Sequence, residues 1–301
     1  MIKLLVAISI ILFLIYFIEA DKILEVLKNA NPVFLLAALV LLTLNIFLQF
    51  RKWKLLCNNI LSVYDKKKIL KSLLIGIGAG MFTPMKSGEY FARSLELNDS
   101  SAVSVTLATV VDKSFTFITI FLIGGITFIF SLEKFISGST VLFYLSLLTY
   151  VIVAVFITVV IGYRKRVKFN FNNKNKYKIV DNFNEFISSI KTLPSNIILK
   201  TFIFAAFHLV TICIQFLFLL IAFNGELNQY FFQIPVLMFF IQIFIPPLVL
   251  GEIGIRETAS VFLVGKIGIS PAVGFNAAMF LFLINFIVPS ILTLFFILRK
   301  K

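Results

Sequence analysis

Two stretches of this sequence repeat one pattern: residues 84–93 read PMKSGEYFAR, and residues 247–256 read PLVLGEIGIR. Both fit P-x3-G-E-x3-R, in a chain that contains only eight prolines. Each stretch follows an apolar segment and precedes a short apolar helix, a polar break and a longer apolar segment. We interpret the two stretches as the turns of two matching structural units.

The residue types in this pattern predict a helical hairpin at each stretch. Proline ends the first half-helix, because it cannot donate to the helical hydrogen-bond ladder, and glycine permits the reversal of the chain. Glutamate lies in the first turn of the returning half-helix, near the positive end of its dipole, and arginine follows at the spacing of an ion pair on one helix face. The turn residues are Pro84, Gly88, Pro247 and Gly251, and the charged residues are Glu89, Arg93, Glu252 and Arg256.

Composition places both hairpins in a membrane. Of the 301 residues, 60% are hydrophobic and 14% are charged, and the mean hydropathy is +1.02. A soluble domain has about 25% charged residues, so a soluble globular enzyme is excluded. The 37 phenylalanines exclude a disordered chain. The composition is typical of a polytopic α-helical membrane protein.

Six apolar stretches approach the length of about 20 residues that crosses a bilayer. They are residues 2–18, 32–50, 102–130, 142–163, 197–223 and 272–298. Two further apolar stretches, 69–82 and 231–245, are shorter and stop at prolines.

The charges predict the orientation of these stretches. Lysine and arginine cluster in 51–71, in 164–178 and at 299–301, so we expect these parts and the N-terminus to be cytoplasmic. The loops near Asp21, Glu133 and Glu226 are then external. With this orientation, 69–97 must enter from the cytoplasm and return, and 231–266 must enter from the outside and return.

The predicted fold is therefore all-α, a single integral membrane domain over residues 1–301. About six full transmembrane helices accompany two oppositely oriented re-entrant hairpins, which form an inverted pseudo-repeat of units 69–130 and 231–298. The cytoplasmic loop 164–193 contains an amphipathic helix over 179–193. That helix either lies on the membrane surface or packs on the protein's own cytoplasmic loops.

Charged residues near the middle of the bilayer need a partner or a wet cavity, because each costs roughly 2.5–3.5 kcal/mol there. Two interpretations stay open for the hairpin charges. In the first, the Glu–Arg pairs only hold the hairpins together. In the second, the cations bind the phosphate of a lipid headgroup, and the carboxylates orient them and balance their charge. The candidate headgroup-binding residues are Arg93, Arg256, Lys86 and Lys113, and the charge-balancing residues are Glu89, Glu252 and Asp112.

The remaining reactive residues indicate no other chemistry. Cys57, Cys213 and His208 lack the spacing of a metal site, and we expect packing roles for them. No G-x4-G-K-[ST] motif is present. We predict no metal, no cofactor, no catalytic residue and no nucleic-acid partner.

Three stretches, TPMKSGEYFAR (83–93), VVDKSF (110–115) and PPLVLGEIGIRE (246–257), resemble the lysylphosphatidylglycerol synthase transmembrane-region family. Its members are also called flippase-like domain proteins, and the resemblance covers nearly the whole chain. It implies a membrane domain that moves a phospholipid between leaflets. A soluble domain makes that lipid in full-length relatives. The chain ends at Lys301, so the resemblance does not imply aminoacyltransferase activity here.

The function predicted from these observations is binding and translocation of an anionic phospholipid, or of a polyprenyl-phosphate-linked lipid, across the cytoplasmic membrane. The protein is then not an enzyme, and its partners are membrane lipids. One alternative is a non-transporting lipid-binding partner of a membrane glycosyltransferase or lipid synthase. A further alternative is a membrane enzyme that modifies a lipid headgroup.

Overall fold

The computed structural model describes residues 2–83, 86–98, 100–135, 140–163, 178–245 and 253–298. Within these ranges the chain is helical, with no strand. Pro84, Pro247, Gly251 and Glu252 lie outside the described residues. The helices are α1 Ile2–Ile18, α2 Ala20–Lys28, α3 Pro32–Ile60, α4 Lys66–Met81, α5 Ser87–Ala92, α6 Ala102–Phe135, α7 Thr140–Tyr163, α8 Lys178–Thr192, α9 Ser195–Asn224, α10 Ile234–Phe244, α11 Ile255–Lys266, α12 Pro271–Phe282 and α13 Val288–Leu298.

Three short segments of other helix types join these helices. Arg93–Glu96 and Gln229–Phe232 are 3₁₀-helical turns before α6 and α10. Leu283–Ile287 is a π-helical turn between α12 and α13. Such a turn inserts an extra residue into an α-helix and is frequent at functional sites.

Four helical stretches in the described ranges are long and apolar enough to cross a membrane. They are Pro32–Ile60, Ala102–Ser131, Ser195–Asn224 and Pro271–Thr293. They coincide with four of the six predicted spans, and the all-α polytopic membrane class is confirmed. The predicted spans at α1 and α7 are helical too, but the total of six crossings stays a prediction.

The segments predicted as hairpins form pairs of packed helices. Helix α4 packs on α5 and the following 3₁₀ turn, and α10 packs on α11. Asp65 caps α4, because its carboxylate accepts hydrogen bonds from the backbone N–H groups of Lys67 and Lys68, at 2.8 and 3.3 Å. These bonds lower the pKa of Asp65 below its ordinary value. That the two pairs turn back within a membrane, in opposite directions, stays a prediction.

Three segments differ from the sequence-based prediction. Residues 20–28, expected in an external loop, form the amphipathic helix α2, and Ile23 accepts a hydrogen bond there from Asn276 in α12. Helix α3 continues ten residues beyond the predicted end of its span. Helix α6 runs to Phe135, so Glu133 belongs to its last turns and not to a loop.

Helix α8 lies where the amphipathic segment was predicted, and part of its apolar face contacts other helices. Phe186 is buried, and Ile187 and Ile190 pack beside it in a cluster that includes Trp53 of α3 and Val105 of α6. This apolar face of α8 therefore packs on the protein itself. A second cluster joins α3, α9, α10, α11 and α12, and the space between the two clusters holds the polar residues described next.

Candidate functional site

An ion-pair cluster lies between the first helix pair and α6. Arg93 Nη2 lies 2.7 Å from Glu89 Oε1, and Arg93 Nη1 lies 3.2 Å from Asp112 Oδ2. The Arg93 side chain is 0% exposed, and its guanidinium stacks on the ring of Trp53 at 4.3 Å. The predicted Glu89–Arg93 pair is thus present, and Asp112 completes it.

Two lysines extend the cluster. Lys113 Nζ lies 2.6 Å from Glu89 Oε1, and Lys52 Nζ lies 3.2 Å from Asp112 Oδ1. Three cations against two carboxylates leave the cluster with one positive charge in excess. The Lys113 side chain is 33% exposed, whereas that of Lys52 is 4% exposed, so Lys113 is the cation that an incoming group can reach.

Lys52 is a residue of this cluster that the sequence interpretation did not select. The cationic stretch 51–71 was expected on the cytoplasmic side, but α3 continues past residue 50 and turns Lys52 inward to Asp112. The sequence does indicate that Asp112 needs a cationic partner, because a carboxylate inside a membrane span must be neutralised. The pairing itself joins residues 60 positions apart, and no local pattern reports it.

A cavity of about 380 Å³ lies beside this cluster. It is lined by residues of both helix pairs and of the long helices α3, α6 and α9. Its charged lining residues are Lys86, Glu89, Lys113 and Arg256, and its neutral polar lining residues are Asn45, Gln49, Tyr90, Thr116, His208, Gln242 and Asn285. A cavity of this size, with a few convergent polar groups, is typical of a small-ligand site.

Phe286 holds two of these cations at the cavity. Lys86 Nζ lies 4.8 Å from the centre of the Phe286 ring, and the Arg256 guanidinium lies 5.4 Å from it. Phe286 belongs to the π-helical turn, and its neighbour Asn285 lines the same cavity. The turn thereby places two consecutive side chains toward one space.

A chain of amide hydrogen bonds forms the opposite wall. Gln49 Nε2 donates to Asn45 Oδ1 at 2.7 Å, and Asn45 Nδ2 donates to Asn285 Oδ1 at 2.7 Å. Asn285 Nδ2 donates to Gln215 Oε1 at 2.8 Å, and Gln215 Nε2 donates to the backbone oxygen of Ala38. The buried His208 Nε2 lies 2.9 Å from Asn45 Oδ1. These hydrogen bonds connect α3, α9 and the π-helical turn, and Asn45, Gln49 and Asn285 also line the cavity with His208.

The structure divides the predicted site residues into two groups. Lys86, Lys113 and Arg256 reach the cavity with Glu89, whereas Arg93 and Asp112 are buried and do not line it. Arg93 therefore positions Glu89, and does not face the cavity. Glu252 lies outside the described residues.

The two turns differ from the predicted geometry. The positive φ in the first turn is at Lys86, at 52°, while Gly88 lies inside α5. A Cβ on Gly88 would lie 2.7 Å from the backbone oxygen of Ala79, so this glycine permits close packing of α5 on α4 and does not form the reversal.

In the second helix pair, the first-turn carboxylate is one that the sequence interpretation did not select. Helix α11 begins at Ile255, and Glu257 lies in its first turn. Glu257 Oε2 accepts a hydrogen bond from the backbone N–H of Gly254 at 2.6 Å. Gly254 has a φ of 96°, which a residue with a side chain rarely adopts. The two units are therefore less similar in structure than their shared sequence pattern predicts.

No group of three or more His, Cys, Asp or Glu residues in the described ranges is arranged to hold a metal ion. Both cysteines are free thiols, and Cys57 is buried.

The apolar helices and the enclosed charged cavity define a polytopic, all-helical membrane protein with a polar site between its helices. The chain belongs to the family described as the lysylphosphatidylglycerol synthase TM region, whose model matches residues 1–293. A comparison with curated proteins finds no match.

Proposed function

We propose that the cavity binds the phosphate-bearing headgroup of an anionic lipid, and that the protein carries this headgroup across the cytoplasmic membrane. The observation behind this proposal is the convergence of three cations on one cavity. Lys86, Lys113 and Arg256 come from three separate elements and reach the same space. Family membership supports a membrane domain related to lipid synthesis or flipping.

Charge explains why an anion suits this space. The described ion-pair cluster has one more cation than carboxylates, and the side chains of Lys86 and Arg256 line the cavity beside it. Arginine and lysine are the side chains that bind phosphate most strongly. In a low-dielectric surrounding, an arriving phosphate offsets a charge excess that is costly when the cavity is empty.

The exposed position of Lys113 suggests how the anion is accepted. Glu89 Oε1 is shared between Arg93 Nη2 and Lys113 Nζ. If Lys113 turns toward a phosphate, Arg93 still neutralises Glu89. The cavity can therefore gain a ligand cation without leaving a buried carboxylate unpaired.

The amide wall supplies the groups that a headgroup needs beyond its phosphate. Asn45, Gln49, Asn285 and His208 present hydrogen-bonding atoms to the cavity, as the hydroxyl groups of a glycerol or a sugar require. In this proposal both termini are cytoplasmic, the hydrocarbon chains stay outside the polar cavity, and no covalent bond changes.

Mass spectrometry of the lipids that co-purify in mild detergent tests headgroup binding. We expect one anionic phospholipid or polyprenyl-phosphate lipid to be enriched over the bulk membrane in the wild type. Lys113→Gln and Arg256→Gln should each reduce this enrichment about tenfold, the equivalent of one charge-assisted hydrogen bond.

Matched controls are available on the protein surface. Lys200 is exposed on α9, and Arg51 is exposed and stacks on Phe47 and Phe204 at 5.6 and 5.4 Å, much as Arg256 does on Phe286. Lys200→Gln and Arg51→Gln should leave the lipid profile unchanged. An identical lipid profile in all five proteins would contradict the proposed headgroup site.

Translocation needs a separate measurement in vesicles. A fluorescent analogue of the enriched lipid should become accessible to a membrane-impermeant quencher faster with the wild type than with Arg256→Gln. Lipid binding without any such acceleration would favour the alternative function, a lipid-holding partner of a membrane glycosyltransferase or lipid synthase. Such a partner would be sought by co-purification.

A further inference from the structure

An apolar groove of about 110 Å³ lies between α6, α9 and the beginning of α10. The side chains along it are hydrocarbon except for the Cys213 thiol. Val210 and Phe232, at its edge, are 47% and 59% exposed, so the groove opens to the surroundings of the helices. Its main lining residues are Ile123, Leu209, Cys213, Leu217, Phe231 and Val236.

The groove adjoins the cationic cavity. Leu209 lines both spaces. On α6, Ile120 lines the cavity and Ile123 lines the groove, and on α10 Phe239 lines the cavity and Val236 lines the groove. Residues three positions apart are neighbours on one helix face. Each of the three helices therefore lines both spaces within about one turn.

The groove runs along α9, and the residues that line it give its length. Along α9 it extends from Leu209 to Leu217, which is about 12 Å at 1.5 Å per residue, toward the end of the helix at Asn224. That end is the external one in the orientation that the loop charges predict. The groove, at about 110 Å³, is smaller than the cavity of about 380 Å³.

We propose that this groove binds one acyl chain of the phospholipid whose headgroup enters the cavity. The inference rests on the proposed function and adds the place of the hydrocarbon chain. A lipid is polar at one end and apolar along its chain, and the two adjoining spaces match that sequence of properties. The bilayer is as apolar as the groove, so an acyl chain gains no hydrophobic free energy by entering the groove. Binding of the chain therefore depends on van der Waals packing against the side chains of the groove. The groove therefore fixes the chain's position and keeps the headgroup at the cavity.

Photo-crosslinking of the full chain in nanodiscs tests this inference. The probes are phosphatidylglycerol and phosphatidylcholine that carry the same diazirine in the middle of one acyl chain. Adducts on residues 209–217 are counted relative to adducts on Val33, Leu36 and Val40, which are exposed on α3 and report any surrounding lipid. We expect this ratio to be about tenfold higher for the phosphatidylglycerol probe, the equivalent of one charge-assisted hydrogen bond to its headgroup.

Variants with a larger side chain in the groove test whether the acyl chain binds at this position. Cys213→Trp should lower the phosphatidylglycerol ratio to the phosphatidylcholine value, and Leu36→Trp, on the exposed face of α3, should not. If Cys213→Trp does not fold, Val210→Phe at the edge of the groove makes the same test. Neither groove variant alters a cavity cation, so both should retain the enriched lipid headgroup.

Two failures can be told apart. Equal ratios for the two probes, with lipid enrichment still lost in Arg256→Gln, would overturn the acyl-chain groove and leave the headgroup site standing. An unchanged lipid profile in Arg256→Gln would overturn the headgroup site and this inference together.

Discussion

Arg93 is a structural cation of the ion-pair cluster beside the cavity. Its guanidinium is fully buried, contacts Glu89 and Asp112 on one side and stacks on Trp53 on the other. Trp53 is itself oriented by a hydrogen bond from its Nε1 to Ser72 Oγ at 3.3 Å. Of the two interpretations of the Glu–Arg pairs, the geometry of Arg93 fits the structural one, whereas Lys113 and Arg256 fit the headgroup site.

At the residue scale, Arg93→Gln should destabilise the protein strongly. It leaves two buried carboxylates with fewer partners, and breaking a buried pair costs about 3–5 kcal/mol. Arg93→Lys should recover only part of this loss, because an ammonium group cannot reproduce the fork-shaped contact with two carboxylates. Thermal unfolding in detergent measures both, with Arg51→Gln as the exposed control. Equal melting temperatures for Arg93→Gln and the control would show that the ion pairs are not needed for stability.

At the element scale, small residues let the returning segment of the first helix pair lie directly on α4. A Cβ added to Gly76 would lie 2.7 Å from Arg93 Cγ, and one added to Gly80 would lie 3.2 Å from Glu89 Cβ. The close approach of these helices is what places Glu89 and Arg93 against α6. The helix pair thus builds the ion-pair cluster as well as one wall of the cavity.

Gly76→Ala should therefore loosen the first helix pair. The added methyl group pushes on Arg93, and overpacking of this kind costs about 1–3 kcal/mol. Gly265→Ala is the matched control in α11, where a Cβ would meet only an ordinary contact with Pro271 Cγ at 3.8 Å. The control should be neutral or slightly stabilising, since alanine favours helix over glycine. The difference in melting temperature between the variants is the measurement, and no difference would contradict the close approach.

At the scale of the whole molecule, one chain of amide hydrogen bonds ties distant parts of the sequence together. Asn45 on α3, Gln215 on α9 and Asn285 in the π-helical turn are linked directly. Asn45 and Asn285 also form part of the wall of the cavity.

Removal of the central amide should weaken that wall. Asn285→Leu leaves Asn45 Nδ2 and Gln215 Oε1 without their present partner, and hydrogen bonds between membrane helices contribute about 1 kcal/mol. Asn59→Leu is the control, because Asn59 donates to Leu55 within its own helix. We expect a lower unfolding temperature for Asn285→Leu alone. If both variants unfold alike, the amide chain does not couple the helices.

Much of this architecture could be predicted from the sequence, because it rests on local patterns. Apolar runs specify membrane helices through the cost of unsatisfied backbone groups in lipid. The four-residue spacing of Glu89 and Arg93 specifies an ion pair on one helical segment. The family could also be recognised from the motifs that carry these residues, and its model matches residues 1–293.

The tertiary structure alone decided which charges face the cavity. Lys52 pairs with Asp112 although α3 and α6 are far apart in the sequence, and Arg93 turns toward that pair and away from the cavity. Phe286 joins Lys86 to Arg256 only because a π-helical turn brings it between them. Such arrangements depend on how helices pack across long sequence separations. Helical periodicity predicts which face of a single helix is apolar. It does not predict which residues of another helix pack against that face.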